Sequence, residues 1–304
     1  MSHTSHQSHY INRKKFCALR ILPFIVGKNG EISLLLGLDK RFKEWTPFGG
    51  NCSESTGSCH RKDTSILKKC LTRELSEESK LLIDLESTVD FANCTYLQYI
   101  INIDIGDITN NIYFARWKGD SNKIISLYGN KKRDDKIVEK LKMLKLSDKG
   151  IKSYFEMDKI EFITVTSEVF GEYIYNSIQD FYRLEETYRK DKVFYNQVTR
   201  LFSSLFKTYH RRDMGDTRGR RFDPRFLMGL IESMAEYFDI DTYSYIDDIV
   251  DDITAYVRGF SEGCSLVDVD EVGEDEHGEG EVGEGEHGED EHGEGEVGED
   301  DLPL

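Results

Sequence analysis

Few folds accommodate a helix whose buried stripe is interrupted by glutamates, and residues 65–80 predict such a helix. On a 3.6-residue wheel, Leu67, Cys70, Leu71, Glu74, Glu77, Glu78 and Leu81 share one face, while Lys68, Lys69, Thr72, Ser76, Ser79 and Lys80 share the other. A run of charge on a helix is ordinarily a solvated surface. Here lysines and serines already occupy the solvated side, so the acids point inward. Carboxylates three and four positions apart have Cβ atoms roughly 5–6 Å from each other, and they repel and raise one another's pKa unless a cation intervenes. A divalent cation is the economical partner, and ligands that are all oxygen favour Mg²⁺ or Mn²⁺ over zinc.

The flanking sequence predicts what holds this helix. Residues 16–26 and 31–38 are β-like runs separated by Gly27-Lys28-Asn29-Gly30, a hairpin signal. Trp45-Thr46-Pro47-Phe48-Gly49-Gly50 ends the next segment in a turn, and a loop over 51–64 precedes the helix. Further strands are expected at 94–105, 111–117 and 160–166, with a second helix near 134–146 whose apolar face holds Ile137, Val138, Leu141 and Leu144. From 167 to about 260 the period is helical in at least three segments, one opened by Asp223-Pro224, an N-cap and first-turn pair. The expected organisation is a flexible N-terminus (1–15), an α/β catalytic domain (16–166), a helical accessory module (167–262) and a tail (263–304).

Charge is informative only when divided along the chain. The net charge is -17, but residues 271–304 hold 16 acids and no Lys or Arg, which leaves 41 acids against 40 basic residues elsewhere. The folded body is thus nearly neutral and compatible with a polyanionic partner. Residues 271–300 form six five-residue units with a glycine in each and no aromatic; such a segment cannot offset its ordering entropy and is expected to be a disordered acidic tail. Its histidines, His277, His287 and His292, read as part of a solvated tail rather than as metal ligands.

Arg73-Glu74-Leu75-Ser76-Glu77-Glu78-Ser79-Lys80-Leu81, with Gly49-Gly50 upstream at a strand end, resembles the Nudix box. The resemblance covers the core of that motif and about 160 residues of compatible strand and helix order, counted along the chain. It implies an α/β/α sandwich with a mixed sheet and hydrolysis of phosphoric anhydride bonds, with Glu74, Glu77 and Glu78 as metal ligands. One of the box glutamates would act as base. Arg73 is expected to fix a glutamate by a salt bridge, and Gly49 and Gly50 to let backbone approach the phosphates. The match departs from the pattern at three points. The glycine near the end of the box is Lys80, the upstream glutamate falls on Ser65 with Asp63 nearby, and the Gly50–Arg73 spacing implies an insertion within 51–64.

Within the superfamily, Cys70-Leu71-Thr72-Arg73-Glu74 and Glu156-Met157-Asp158-Lys159-Ile160-Glu161 are similar to the mRNA-decapping Nudix enzymes, including those of poxviruses, asfarviruses and giant viruses. That resemblance implies release of methylated guanosine diphosphate and 5′-monophosphate RNA from capped RNA. It makes Glu156 either a fourth metal ligand or a solvated loop acid. An RNA substrate needs cationic contacts, and Arg211, Arg212, Arg218, Arg220, Arg221 and Arg225 are either a guiding surface or a charged linker. Trp45, Phe114 and Trp117 are aromatic candidates for stacking on a cap base, or else core.

Two other functional classes compete with decapping. One is a Nudix hydrolase of diphosphoinositol polyphosphates or nucleoside diphosphate derivatives; the other is a non-catalytic Nudix-fold interaction protein. The cysteines lack regular spacing, and Cys17 and Cys70 lie in apolar patterns where free thiols pack as small hydrophobes. Cys52, Cys59 and His60 lack a fourth zinc ligand and read as an ordinary surface loop. A polar start without an apolar core and the lack of a long apolar run predict a cytoplasmic, non-membrane protein.

Overall fold

The computed structural model describes residues 14–52, 64–183, 189–208 and 220–263. Seven strands, β1 (Lys14–Val26), β2 (Ile32–Asp39), β3 (Trp45–Thr46), β4 (Phe48–Asn51), β5 (Val89–Ile103), β6 (Gly106–Trp117) and β7 (Met157–Thr164), form one mixed sheet. β1 runs parallel to β6 over its length, and the other pairings are antiparallel. On its second edge β1 pairs with β4 through Ala18–Ile21 and with β2 through Phe24–Val26. Pro23 falls at that change of partner, where a residue lacking an N–H costs the ladder least.

Both faces of the sheet are covered, which is why β1 and β2 read as nearly continuous apolar runs rather than clean alternation. Cys17, Leu19 and Ile21 of β1 and Leu35 of β2 pack with Cys70, Leu71 and Leu75 of α1 (Thr64–Glu78) and with Ile124 and Tyr128 of α2 (Ser121–Tyr128). The opposite side chains, Leu22, Phe24, Ile32, Leu34 and Leu36, pack under the C-terminal helices. These are α5 (Phe170–Arg183), α6 (Lys192–Thr208), α7 (Pro224–Tyr237) and α8 (Ile246–Gly263). The result is an α/β/α layering in which the helices of 167–262 share a core with the sheet. Asp223 caps α7 by accepting from Arg225 N at 2.7 Å, with Pro224 in the first turn.

A third cluster joins α3 (Lys131–Met143) and α4 (Asp148–Ser153) through Ile137, Leu141 and Ile151 to Leu81 and Phe155. α2 and α4 were not foreseen; both are short, and their caps, Asp120 and Ser147, are the sequence signals that mark them. Leu144, expected on the apolar face of α3, is instead exposed, because the helix ends at Met143 and Lys145 takes a left-handed φ of 58° that turns the chain back.

The segment between α6 and α7, which the sequence leaves as either a guiding surface or a charged linker, reaches the sheet at its described end. Phe222 bridges Trp45 in parallel fashion, with Trp45 N donating to Arg221 O at 2.7 Å and Asp223 N to Trp45 O at 2.9 Å. Phe222 then packs against Phe170, Tyr173 and Phe226 with ring centroids 4.7, 5.2 and 5.7 Å away.

The reading of Cys17 and Cys70 as free thiols is corrected. Cys70 is joined to Cys52, with 5.7 Å between their Cα atoms, because the end of β4 runs beside the middle of α1. Cys17 is also disulfide-bonded. Cys52 is buried and bonded, so it belongs neither to a zinc cluster nor to an exposed loop; Cys59 and His60 lie outside the described residues, as do Asp63, the N-terminal 13 residues and the acidic tail. Among the described residues no helix is long and apolar enough to cross a membrane.

Candidate active site

α1 is anchored by Cys70, Leu71 and Leu75, which carry its acidic stripe to the end of β4. Glu78 reaches back to that strand, its Oε2 accepting from Gly49 N at 2.6 Å. Gly49 has φ 139°, in the region that favours glycine, and a Cβ there would stand 2.0 Å from Leu19 O. Gly50 leaves the space taken by the Glu74 carboxylate, since a Cβ on it would come within 2.7 Å of Glu74 Oε2. The glycine pair therefore seats two glutamates of the helix against backbone.

Arg73 holds the remaining geometry. Its Nη2 lies 2.6 Å from Glu74 Oε1 and its Nη1 3.7 Å from Glu77 Oε2, so one guanidinium spans both acids. Glu156, in the loop before β7, stands close enough to act electrostatically on Glu74 and Glu78. Burial raises the pKa of Glu74, and Arg73 opposes this while Glu77 and Glu156 add to it. Burial likewise pushes Glu78 well above the usual carboxylate range; the Gly49 N–H opposes it, Glu74 and Glu156 reinforce it, and Arg20 also opposes. Glu156 is raised by burial and then by Asp39 and Glu77. The structure thus gathers Arg73, Glu74 and Glu77 through ion pairs, seats Glu78 on Gly49, and leaves Glu156 within electrostatic range of them.

The far end of α1 departs from the wheel. Ser79 and Lys80, placed on the solvent side by periodicity, are buried because the helix stops at Glu78 and both Lys80 and Leu81 turn left-handed, with φ 55° and 60°. Lys80, which stands where the Nudix box has glycine, is only 6% exposed. Its Nζ contacts Asp134 Oδ2 at 2.9 Å and Tyr128 O at 3.3 Å and lies 4.3 Å above the Tyr128 ring. The Tyr128 hydroxyl faces Glu78 O and Met157 O, each at 3.1 Å, and so ties the end of the acidic helix to the strand that follows Glu156.

Beside Glu156 opens a cleft of about 520 Å³ lined by Asp39, Lys40, Arg41, Phe42, Lys152, Phe155 and Glu156. Lys40 N donates to Glu156 O at 2.8 Å, fixing the loop after β2 to the loop before β7. Phe42 is 47% exposed, and the Arg41 guanidinium sits 4.8 Å from its ring centroid. Sequence reasoning missed Asp39, Lys40, Arg41 and Phe42; the run of two cations and an aromatic directly after a strand was the available signal. It also missed Arg20, whose Nη1 donates to Thr46 Oγ1 at 3.3 Å while its buried Nε has no hydrogen-bond partner.

The aromatic candidates Trp45, Phe114 and Trp117 are all buried in the core, so none offers a free face. Of the arginine-rich segment, Arg211, Arg212 and Arg218 lie outside the described residues. Arg221 is turned inward, 2.9 Å from Asp180 Oδ2, 3.5 Å from Glu44 Oε1 and donating to Phe42 O at 2.7 Å. Arg220 is exposed and pairs with Glu172 at 3.4 Å, and Arg225 is exposed with its guanidinium 5.4 Å from the Phe194 ring centroid.

Fold and site together define an α/β protein with an acidic cluster and an adjoining cationic and aromatic cleft. No family model matches the sequence, and no curated protein matches it. Among solved structures, the crystal structure of C. elegans Ap4A hydrolase is similar at 18% identity and a TM-score of 0.21, covering 44% of this chain and 99% of that chain. The functional reading rests on the site's own residues.

The donor set suits Mg²⁺ or Mn²⁺, since Glu74, Glu77, Glu78 and Glu156 offer oxygen alone and repel one another. Among the described residues no three His, Cys, Asp or Glu side chains converge as a preformed cage. As they stand, Glu74 and Glu77 face Arg73.

Proposed function

We propose that this chain is a divalent-metal-dependent Nudix pyrophosphohydrolase that cleaves the triphosphate bridge of capped mRNA. The observation that carries the reading is the seating of the Arg73–Glu78 box. Glu78 is bonded to Gly49 N, Glu74 is packed on Gly50, and Glu156 is drawn from a distant loop into the same electrostatic field. Burial and acidic neighbours raise the pKa of Glu74, Glu78 and Glu156, an arrangement costly to the fold alone, and phosphoanhydride hydrolysis is chemistry that uses it.

Glu74, Glu77, Glu78 and Glu156 would hold Mg²⁺ or Mn²⁺. When bound, such ions neutralise phosphate charge and lower the pKa of a coordinated water. One box carboxylate accepts the proton of the attacking water, and burial, which raises the pKa of Glu74 and Glu78, suits either to that task. Arg73 orients Glu74 and Glu77. Lys40, Arg41 and Lys152 on the cleft wall meet substrate phosphates, and the exposed ring of Phe42 offers a face to a base. Arg220 and Arg225 remain candidate contacts to the RNA chain, together with Arg211, Arg212 and Arg218.

Incubating the full chain with cap-labelled RNA and Mg²⁺ or Mn²⁺ is expected to release methylated guanosine diphosphate and leave 5′-monophosphate RNA. Phosphate released from diphosphoinositol polyphosphates or nucleoside diphosphate derivatives, with capped RNA untouched, would reassign the substrate. No hydrolysis of any of these would leave the non-catalytic interaction protein as the better account.

A further inference from the structure

α3 buries Ile137 and Leu141 against Ile151, Leu81 and Phe155, so its other side must face solvent. That side carries Lys132, Lys136 and Lys140, spaced four residues apart along one line and all exposed. Lys131, Lys142, Lys145, Lys149 and Lys152 are exposed as well. The stretch 131–152 holds eight lysines and one arginine against four acids. Two of its charged residues are directed inward, Arg133 donating to Lys80 O at 2.5 Å and Asp134 paired with Lys80, which leaves eight lysines against three acids for the outer surface.

The fold gains little from this arrangement. Like charges four apart on a helix destabilise it by roughly 0.2–0.5 kcal/mol per pair, and none of Lys132, Lys136 and Lys140 has an ion pair with a described residue. The exposed acids Asp135 and Glu139 stand three residues from Lys132 and Lys136 and relieve only part of that repulsion. Position supplies the second observation. The basic surface continues through Lys149 to Lys152, which lines the cleft with Glu156, Lys40 and Arg41. The lysine face therefore begins where the scissile phosphates would end.

We infer that the lysine face of α3 and α4 is the track of the RNA chain leaving the catalytic cleft, an inference that rests on the capped-RNA reading. Each phosphate neutralised on a single strand contributes about 0.7 to the slope of log affinity against log salt. Three lysines along α3 account for about two units of that slope.

The test compares the full-length protein with the triple variant Lys132→Gln/Lys136→Gln/Lys140→Gln, using fluorescence anisotropy with a capped 20-nucleotide RNA across a salt series. Binding is expected to weaken about tenfold, with the salt slope lowered by about two, while hydrolysis of a cap dinucleotide holds at the wild-type rate. Lys→Arg at the same positions should restore binding, which separates a charge effect from a folding defect. Unchanged affinity and slope in the Gln variant would overturn the inference. So would loss of binding to phosphatidylserine vesicles with RNA binding intact, since that outcome assigns the face to a membrane surface. RNA binding through these lysines without cap release would sink the decapping reading and leave the surface standing; decapping with an unaltered variant would sink the surface alone.

Discussion

Glu78→Gln is expected to lower turnover by about a thousandfold or more, consistent with the several kcal/mol of charge stabilisation a metal ligand supplies, while raising the melting temperature of the metal-free protein at neutral pH. The second half follows from the sign of the pKa shift. Burial raises the folded-state pKa of Glu78 above its ordinary value of 4.5, so the folded protein holds that proton more tightly than the unfolded chain does. Stability from this group is therefore gained as pH falls through the raised folded value and is complete below 4.5; above the folded value the ionised carboxylate works against the fold. Glutamine keeps an oxygen for Gly49 N and removes the charge. Thermal melts in EDTA from pH 5 to 8 should show the wild-type protein losing stability with rising pH more steeply than the variant. A variant that melts lower than wild type at pH 7.5 would contradict the claim that Glu78 is held at the fold's expense.

Gly49→Ala should destabilise the folded protein by about 4 kcal/mol, combining a strained φ with overpacking against backbone. The added Cβ meets Leu19 O at 2.0 Å and Arg20 Cα at 2.8 Å, and neither is the far end of a side chain able to swing away. Because β4 pairs with β1 at this point through Arg20 and Gly49, relief requires opening the ladder that carries the Glu78 hydrogen bond. Urea unfolding gives the loss directly. A change below about 1 kcal/mol, the size of an ordinary surface substitution, would mean that the turn relaxes and does not fix the glutamate.

The parts of the fold legible in the sequence are those set by local period. The apolar runs of β1 and β2 and the stripe of α1 appear at or near their expected positions, because burial on two faces and on one face leaves different patterns. Asp223-Pro224 marked the start of α7 for the same local reason. The misplaced features depend on the chain meeting itself. A helical wheel continues a helix indefinitely and so puts Lys80 in solvent, whereas the left-handed pair Lys80–Leu81 ends the helix and turns the lysine onto Tyr128. The packing of Phe222 is hidden because nothing in Arg221-Phe222-Asp223 announces a partner in Trp45, 177 positions away. Cys52 and Cys70 are 18 positions apart, and the sequence between them does not say that β4 returns beside α1.

The site divides along the same line. Glu74, Glu77 and Glu78 are visible because they violate the apolar stripe of a single helix. Glu156 reads from sequence as either ligand or loop acid, and the pairing of β7 with β2 brings it within the field of Glu74 and Glu78. Asp39 and Phe42, at the exit of β2, gain meaning only once that pairing sets them beside Glu156.

Titration of the full-length protein with Mn²⁺, followed by electron paramagnetic resonance of the free ion, reads the acidic cluster without reference to substrate. The wild-type protein should immobilise the ion, and the Glu74→Gln/Glu78→Gln double variant should leave it free. Equal binding by both, or free ion in the wild-type sample even with a non-hydrolysable cap analogue present, would contradict the assignment of these carboxylates as the metal-holding centre.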